Sequence, residues 1–97
     1  MVEVLISESA EKDYTNSLRW YAERSTRAAN AFEGEFARAI DTIAANPDAL
    51  PKCDDWHRFY RLKRYPFQII YRRVSDENLL IVAVAHTSRR PSYWSKG

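Results

Sequence analysis

From Leu79 to Ala85 every side chain is apolar, in the order Leu-Leu-Ile-Val-Ala-Val-Ala. A run this short, with β-branched residues and no polar position, predicts a strand covered on both faces and therefore central in its sheet. Two further strands precede it. His57 to Lys63 sets Tyr60 and Leu62 on one face, with Phe59, Arg61 and Lys63 on the other. Tyr65-Pro66 bends the chain, because proline cannot donate to a ladder and restricts the residue before it. Beyond it Phe67, Ile69 and Tyr71 alternate with Gln68, Ile70 and Arg72. Ser75-Asp76-Glu77-Asn78 makes the hairpin turn into the apolar strand.

The first half of the chain has helical periodicity instead. Val2 to Ile6 is a short β-prone run, closed by Ser7, which can cap a helix whose first turn carries Glu8 and Glu11. Ala10, Tyr14, Leu18, Tyr21 and Ala22 form one stripe on that helix, with Lys12, Asp13, Asn16, Arg19 and Glu23 largely outside it. Trp20 lies at the edge of the stripe and reads first as a packing aromatic. Ser25-Thr26 restarts the chain, and Ala29, Phe32, Phe36, Ile40 and Ile43 define a second helix that Asn46-Pro47 ends. Gly34 inside it predicts a close approach to the first helix. Residues 46–55 are turn-rich and aperiodic, a long connection to the strands.

The order strand, helix, helix, strand, strand, strand is α+β. It predicts a helical hairpin packed on one face of a small, mainly antiparallel sheet. The chain has 97 residues, 45% of them hydrophobic, which suits one domain over residues 1–97. No apolar run approaches the ~20 residues of a membrane span, and the strand pattern begins without a basic leader, so a soluble, unexported, cytoplasmic protein is expected. Cys53 is the single cysteine and excludes an internal disulfide. Cys53, Asp54, Asp55 and His57 are ligand types at close spacing, yet a second Cys/His pair is missing, so neither metal nor cofactor is expected.

Charge divides the chain. Residues 1–46 hold five basic side chains against eight acidic ones, and residues 47–97 hold ten against five. Arg58, Arg61, Lys63, Arg64, Arg72 and Arg73 fall between His57 and Arg73 with no acidic residue among them. A sheet carrying this much positive charge requires an anionic partner. A bare nucleic-acid-binding module is one reading, with Tyr60, Tyr65 and Phe67 interleaved among the cations.

A second reading comes from the order and spacing of particular residues. Asp13-Tyr14 follows Ala10 in the first helix, Ala28-Ala29 leads to Phe32 in the second, and Asn46-Pro47 ends it. Arg58 and Leu62 come next, then Tyr65-Pro66-Phe67-Gln68-Ile69-Ile70-Tyr71-Arg72, Val84-Ala85-His86, Arg89-Arg90-Pro91 and Trp94. Over nearly its whole length the chain resembles the RelE/ParE superfamily of toxins from bacterial type II toxin–antitoxin systems, often called plasmid-stabilisation proteins. The resemblance implies a toxin neutralised by, and hetero-oligomeric with, a cognate antitoxin.

Two activities follow from it: RelE-like members cleave mRNA in the ribosome, and ParE-like members poison DNA gyrase. Metal-free RNA cleavage requires a base, an acid and cations for the phosphate. His86, Arg89, Arg90 and Tyr93 are the catalytic candidates on that alternative. However, the arginine and tyrosine of the RelE pattern fall on Ser88 and Trp94. The Tyr-Pro-Phe stretch and the His-x-x-Arg-Arg-Pro tail are closer to ParE, and a gyrase-directed toxin is the preferred expectation. Arg58, Arg61, Lys63, Arg72, Arg89, Arg90 and Trp94 are then the candidate target contacts.

Overall fold

The computed structural model describes residues 2–87. Six elements run in the order β1 (Glu3–Ile6), α1 (Glu8–Arg24), α2 (Thr26–Ala45), β2 (Arg58–Arg61), β3 (Phe67–Arg73) and β4 (Asn78–His86). The sheet has the order β1-β4-β3-β2, with β1 parallel to β4 and the other neighbours antiparallel. β4 is interior, as its apolar run predicts. No helix among the described residues is long and apolar enough to cross a membrane.

Each helix starts on a serine. Ser7 Oγ accepts the Ala10 N–H at 3.1 Å, and Glu8 and Glu11 sit in the first turn of α1, where carboxylates complement the exposed N–H dipoles. Ser25 alone separates the helices: its N–H closes α1 on the Tyr21 carbonyl at 2.8 Å, and its Oγ caps α2 by accepting the Ala28 N–H at 3.1 Å. Asn46 then closes α2 on the carbonyls of Thr42 and Ile43. The helices are antiparallel, since Tyr14 packs on Phe36 (ring centroids 4.4 Å apart) while Tyr21, further along α1, packs on Phe32 (5.2 Å), earlier in α2.

The main core lies between this hairpin and the sheet. Phe32 and Ile43 from α2, Ile69 and Tyr71 from β3, and Leu79 and Ile81 from β4 are its largest fully buried side chains outside the smaller second cluster. Burying each such aliphatic or aromatic side chain contributes about 1.5–3 kcal/mol. The expected stripes need adjustment. Ala22 is exposed, and in α2 Ala39 takes the buried position with Ile40 only half-buried beside it. Gly34 makes no close helix approach: a methyl group there would meet only the guanidinium of Arg38, one turn on in the same helix, at 3.4 Å.

β4 also departs from expectation. Ile70 pairs with Ala83 and Tyr71 with Ile81, so Val82 is an extra residue, a β-bulge that changes which side chains face the helices. Leu79 and Ile81 face the hairpin before the bulge and Val84 after it. Only one face of β4 is covered by helices. On the other, Ile70, Ala83 and Ala85 form a second small cluster against Phe59 and Val82, while Leu80 stays half-buried. A run of aliphatic residues without polar interruption conceals a bulge, because every position satisfies either face.

Candidate functional site

Where β1 ends, β4 continues alone along its edge, and the start of α1 takes over its hydrogen bonding. The Ser7 N–H donates to the Ile81 carbonyl at 3.0 Å and Ser7 Oγ to the Val82 carbonyl at 3.4 Å. One turn further, Asp13 Oδ2 accepts the Val84 N–H at 3.1 Å. Sequence reasoning placed Asp13 on the solvated side of α1. Nothing in helical periodicity signals a carboxylate that satisfies a strand edge.

Beside Asp13 opens a cleft of about 450 Å³, lined by Asn16, Ser17, Trp20 and Tyr21 of α1, Pro66 and Phe67, and Val84 and His86 of β4. The His86 ring meets Phe67 edge-on, with centroids 5.1 Å apart. Trp20 is half-exposed at the rim; it packs at right angles on Tyr21, and the Arg24 guanidinium stacks 3.6 Å over its ring. It is a packing aromatic on one side and a cleft wall on the other.

The turn between β2 and β3 closes one end of this cleft and is fixed from several directions. Leu62 N–H donates to the Phe67 carbonyl at 3.0 Å, and Phe67 N–H to Tyr65 at 2.8 Å. Glu35, a buried carboxylate of α2, accepts the Arg64 N–H at 3.1 Å. Tyr65 donates its hydroxyl to the Ala28 carbonyl at 3.1 Å and packs its ring on Tyr21 and Phe32. Thr87 N–H donates to the Pro66 carbonyl at 2.8 Å, so the chain leaves β4 at this same turn. The side chains of Lys63 and Arg64 remain exposed.

Among the described residues, the predicted site residues do not converge. Arg61 and Arg72 are exposed on the face of the sheet away from the helices, with Phe59 and Ile70 between them, while Leu80 and Leu5 continue the row from Arg72 to the β1 edge. Arg58 is half-buried on the other face and donates to the Leu50 carbonyl, holding the long connection against β2. His86 pairs with Phe67, whereas Arg58 pairs with Tyr71, so Arg58 and Arg72 stand roughly 14–17 Å along the sheet from His86. Arg89, Arg90, Tyr93 and Trp94 lie outside the described residues. In the long connection, Asp54 and His57 pair with each other at 3.0 Å. Burial would push the Asp54 carboxyl up, but N–H bonds from Trp56 and His57, together with the His57 ring, hold it below the usual carboxylate value.

Comparison with known proteins gives this geometry a family. The model of the ParE toxin of type II toxin–antitoxin systems, parDE, matches residues 4–91. The chain belongs to the ParE toxin family. A solved structure, described as the chromosomal ParDE toxin–antitoxin system from P. aeruginosa, shares its fold with a TM-score of 0.73. That likeness covers 91% of this chain and 98% of the other at 19% identity. No curated protein matches the chain. The helical hairpin on a mixed four-stranded sheet is thus the ParE fold, as the residue pattern implied.

Proposed function

We propose that this ParE-family protein is the toxin of a two-component system, held inactive by a cognate antitoxin and directed at DNA gyrase rather than at mRNA. The observation that carries the choice of target is the match of residues 4–91 to the ParE toxin model, since ParE-like members of the superfamily act on gyrase. RNA cleavage by His86 would require a cation near the scissile phosphate; Arg58 and Arg72 stand too far along the sheet to serve, which leaves that part to Arg89 and Arg90. A toxin that acts by binding needs no such set. On this reading the protein works in the bacterial cytoplasm and stabilises the plasmid or locus that carries it.

The antitoxin contact follows from the face away from the helices. Leu80 and Leu5, in one row beside Arg72, with Phe59 and Arg61 further along the same face, suit an amphipathic acidic segment that buries apolar side chains and sets carboxylates against the arginines. Arg58, a candidate contact in the sequence, is engaged with the Leu50 carbonyl and acts structurally.

Induced expression without antitoxin tests the target. DNA replication stops first if gyrase is the target, with protein synthesis continuing in the early interval. Immediate translation arrest with cleaved ribosome-bound mRNA would return the activity to His86, Arg89, Arg90 and Tyr93.

A further inference from the structure

The β2–β3 turn presents charge that the proposed antitoxin contact does not use. Two of its apolar side chains point inward: Leu62 is buried, and Tyr65 is held among Tyr21, Phe32 and the Ala28 carbonyl. What faces solvent is Lys63, Arg64 and the small ring of Pro66. The ion pairs among the described residues are Lys12–Glu8, His57–Asp54 and Arg73–Asp48, so neither turn cation is neutralised by a carboxylate. More positive charge gathers at this end of the molecule. Ala28, which accepts the Tyr65 hydroxyl, follows Arg27, and Arg24 stacks on Trp20 nearby.

An exposed turn of this length is ordinarily mobile, yet two bonds from α2 clamp this one, and one of them uses a buried carboxylate. Burying Glu35 is costly unless its charge is satisfied, and the bond to the Arg64 N–H offsets part of that cost. We propose that the turn is a preorganised contact for the phosphate backbone of nucleic acid, with Lys63 and Arg64 as its cations and Glu35 as the residue that positions them. An acidic peptide draws affinity from apolar anchors ringed by charge. The turn exposes no large apolar side chain, only Pro66, whereas phosphates reward fixed cations alone. The contact stands independently of gyrase as target, although a toxin acting on a DNA-bound enzyme would meet such a backbone.

The test measures binding of the full-length protein to a short labelled DNA duplex of mixed sequence across a range of salt. Lys63→Ala/Arg64→Ala lowers the slope of log affinity against log salt by roughly 2, at about 0.9 per phosphate contact. Lys12→Ala, at an exposed position of α1 outside every proposed contact, leaves it unchanged. Glu35→Ala is the sharper arm. It removes a negative charge and by long-range attraction alone would tighten binding, yet it weakens binding if the carboxylate positions the turn. Glu35→Gln, whose amide oxygen accepts the same N–H, binds as well as the wild type or better. If Glu35→Ala melts, Tyr65→Phe replaces it and weakens binding in the same direction. An unchanged slope in the double variant overturns the phosphate contact. A folded Glu35→Ala protein that binds as tightly as the wild type overturns the positioning role. Polyglutamate that binds through Lys63 and Arg64 more tightly than the duplex would assign the turn to an acidic protein instead.

Discussion

Two side chains show how single polar groups hold this structure. Asp13 reaches from α1 to the Val84 N–H at the point where β4 has lost its parallel neighbour. Asp13→Ala leaves that N–H without its acceptor and costs about 1–3 kcal/mol in urea unfolding, whereas Asp13→Asn, still an acceptor, costs less. Tyr71 is the second. Its hydroxyl donates to the Pro47 carbonyl at 2.8 Å, tying the end of α2 to the sheet. Burial pushes its phenol from 10.0 up to about 12, against the opposing pull of Arg58 and Arg73. A group that keeps its proton longer when folded contributes stability that is intact below its unfolded pKa. That contribution is lost as pH rises from about 10 toward 12. The wild type should therefore lose stability across that alkaline window more steeply than Tyr71→Phe, read as melting temperature against pH. At neutral pH the same variant is less stable by about 1 kcal/mol, for the lost hydrogen bond.

At the scale of elements, the strong periodicities were legible and the exceptions were not. The Ser7 cap, the restart at Ser25-Thr26, the Asn46-Pro47 stop and the alternation of Phe67, Ile69 and Tyr71 follow from local chemistry, so the pattern alone placed them. The bulge at Val82 is a property of pairing between β3 and β4, and no residue type in an all-aliphatic run announces it. Glu35 shows the same limit. It falls on the buried side of α2 because of a turn 29 residues away in sequence. Gly34 is a plainer misreading, in which helical glycine implied close packing that the fold does not use. With only the Arg38 guanidinium near its missing Cβ, Gly34→Ala should stabilise the protein by about 0.5–1 kcal/mol, because alanine loses less backbone entropy on folding. Thermal unfolding of the single variant checks this. A loss of stability would mean that Arg38 cannot move aside.

For the molecule as a whole, separate surfaces carry the cations that the sequence had merged into one basic strand region. Arg61 and Arg72 flank apolar residues on one face, Lys63 and Arg64 crown a clamped turn, and Arg58 serves the long connection. Alternation along a strand could assign faces, but only pairing reveals that His86 returns beside Pro66. That return bears on the last expectation. The Thr87 N–H bond to Pro66 fixes where the chain leaves β4, and Arg89 and Arg90 follow two residues later in the sequence. Adjacent like charges repel one another and are poor choices for stability. A role in the target contact accounts for them better. Arg89→Ala/Arg90→Ala should shift stability by no more than about 0.5 kcal/mol per site, as at ordinary surface positions. It should still capture antitoxin, whose proposed face holds Arg61 and Arg72, and yet no longer arrest growth. Melting temperature, co-purification with antitoxin and colony formation after induction are read on the same variant. A protein that melts far below the wild type would make the two arginines structural, and one that stays fully toxic would remove them from the target contact.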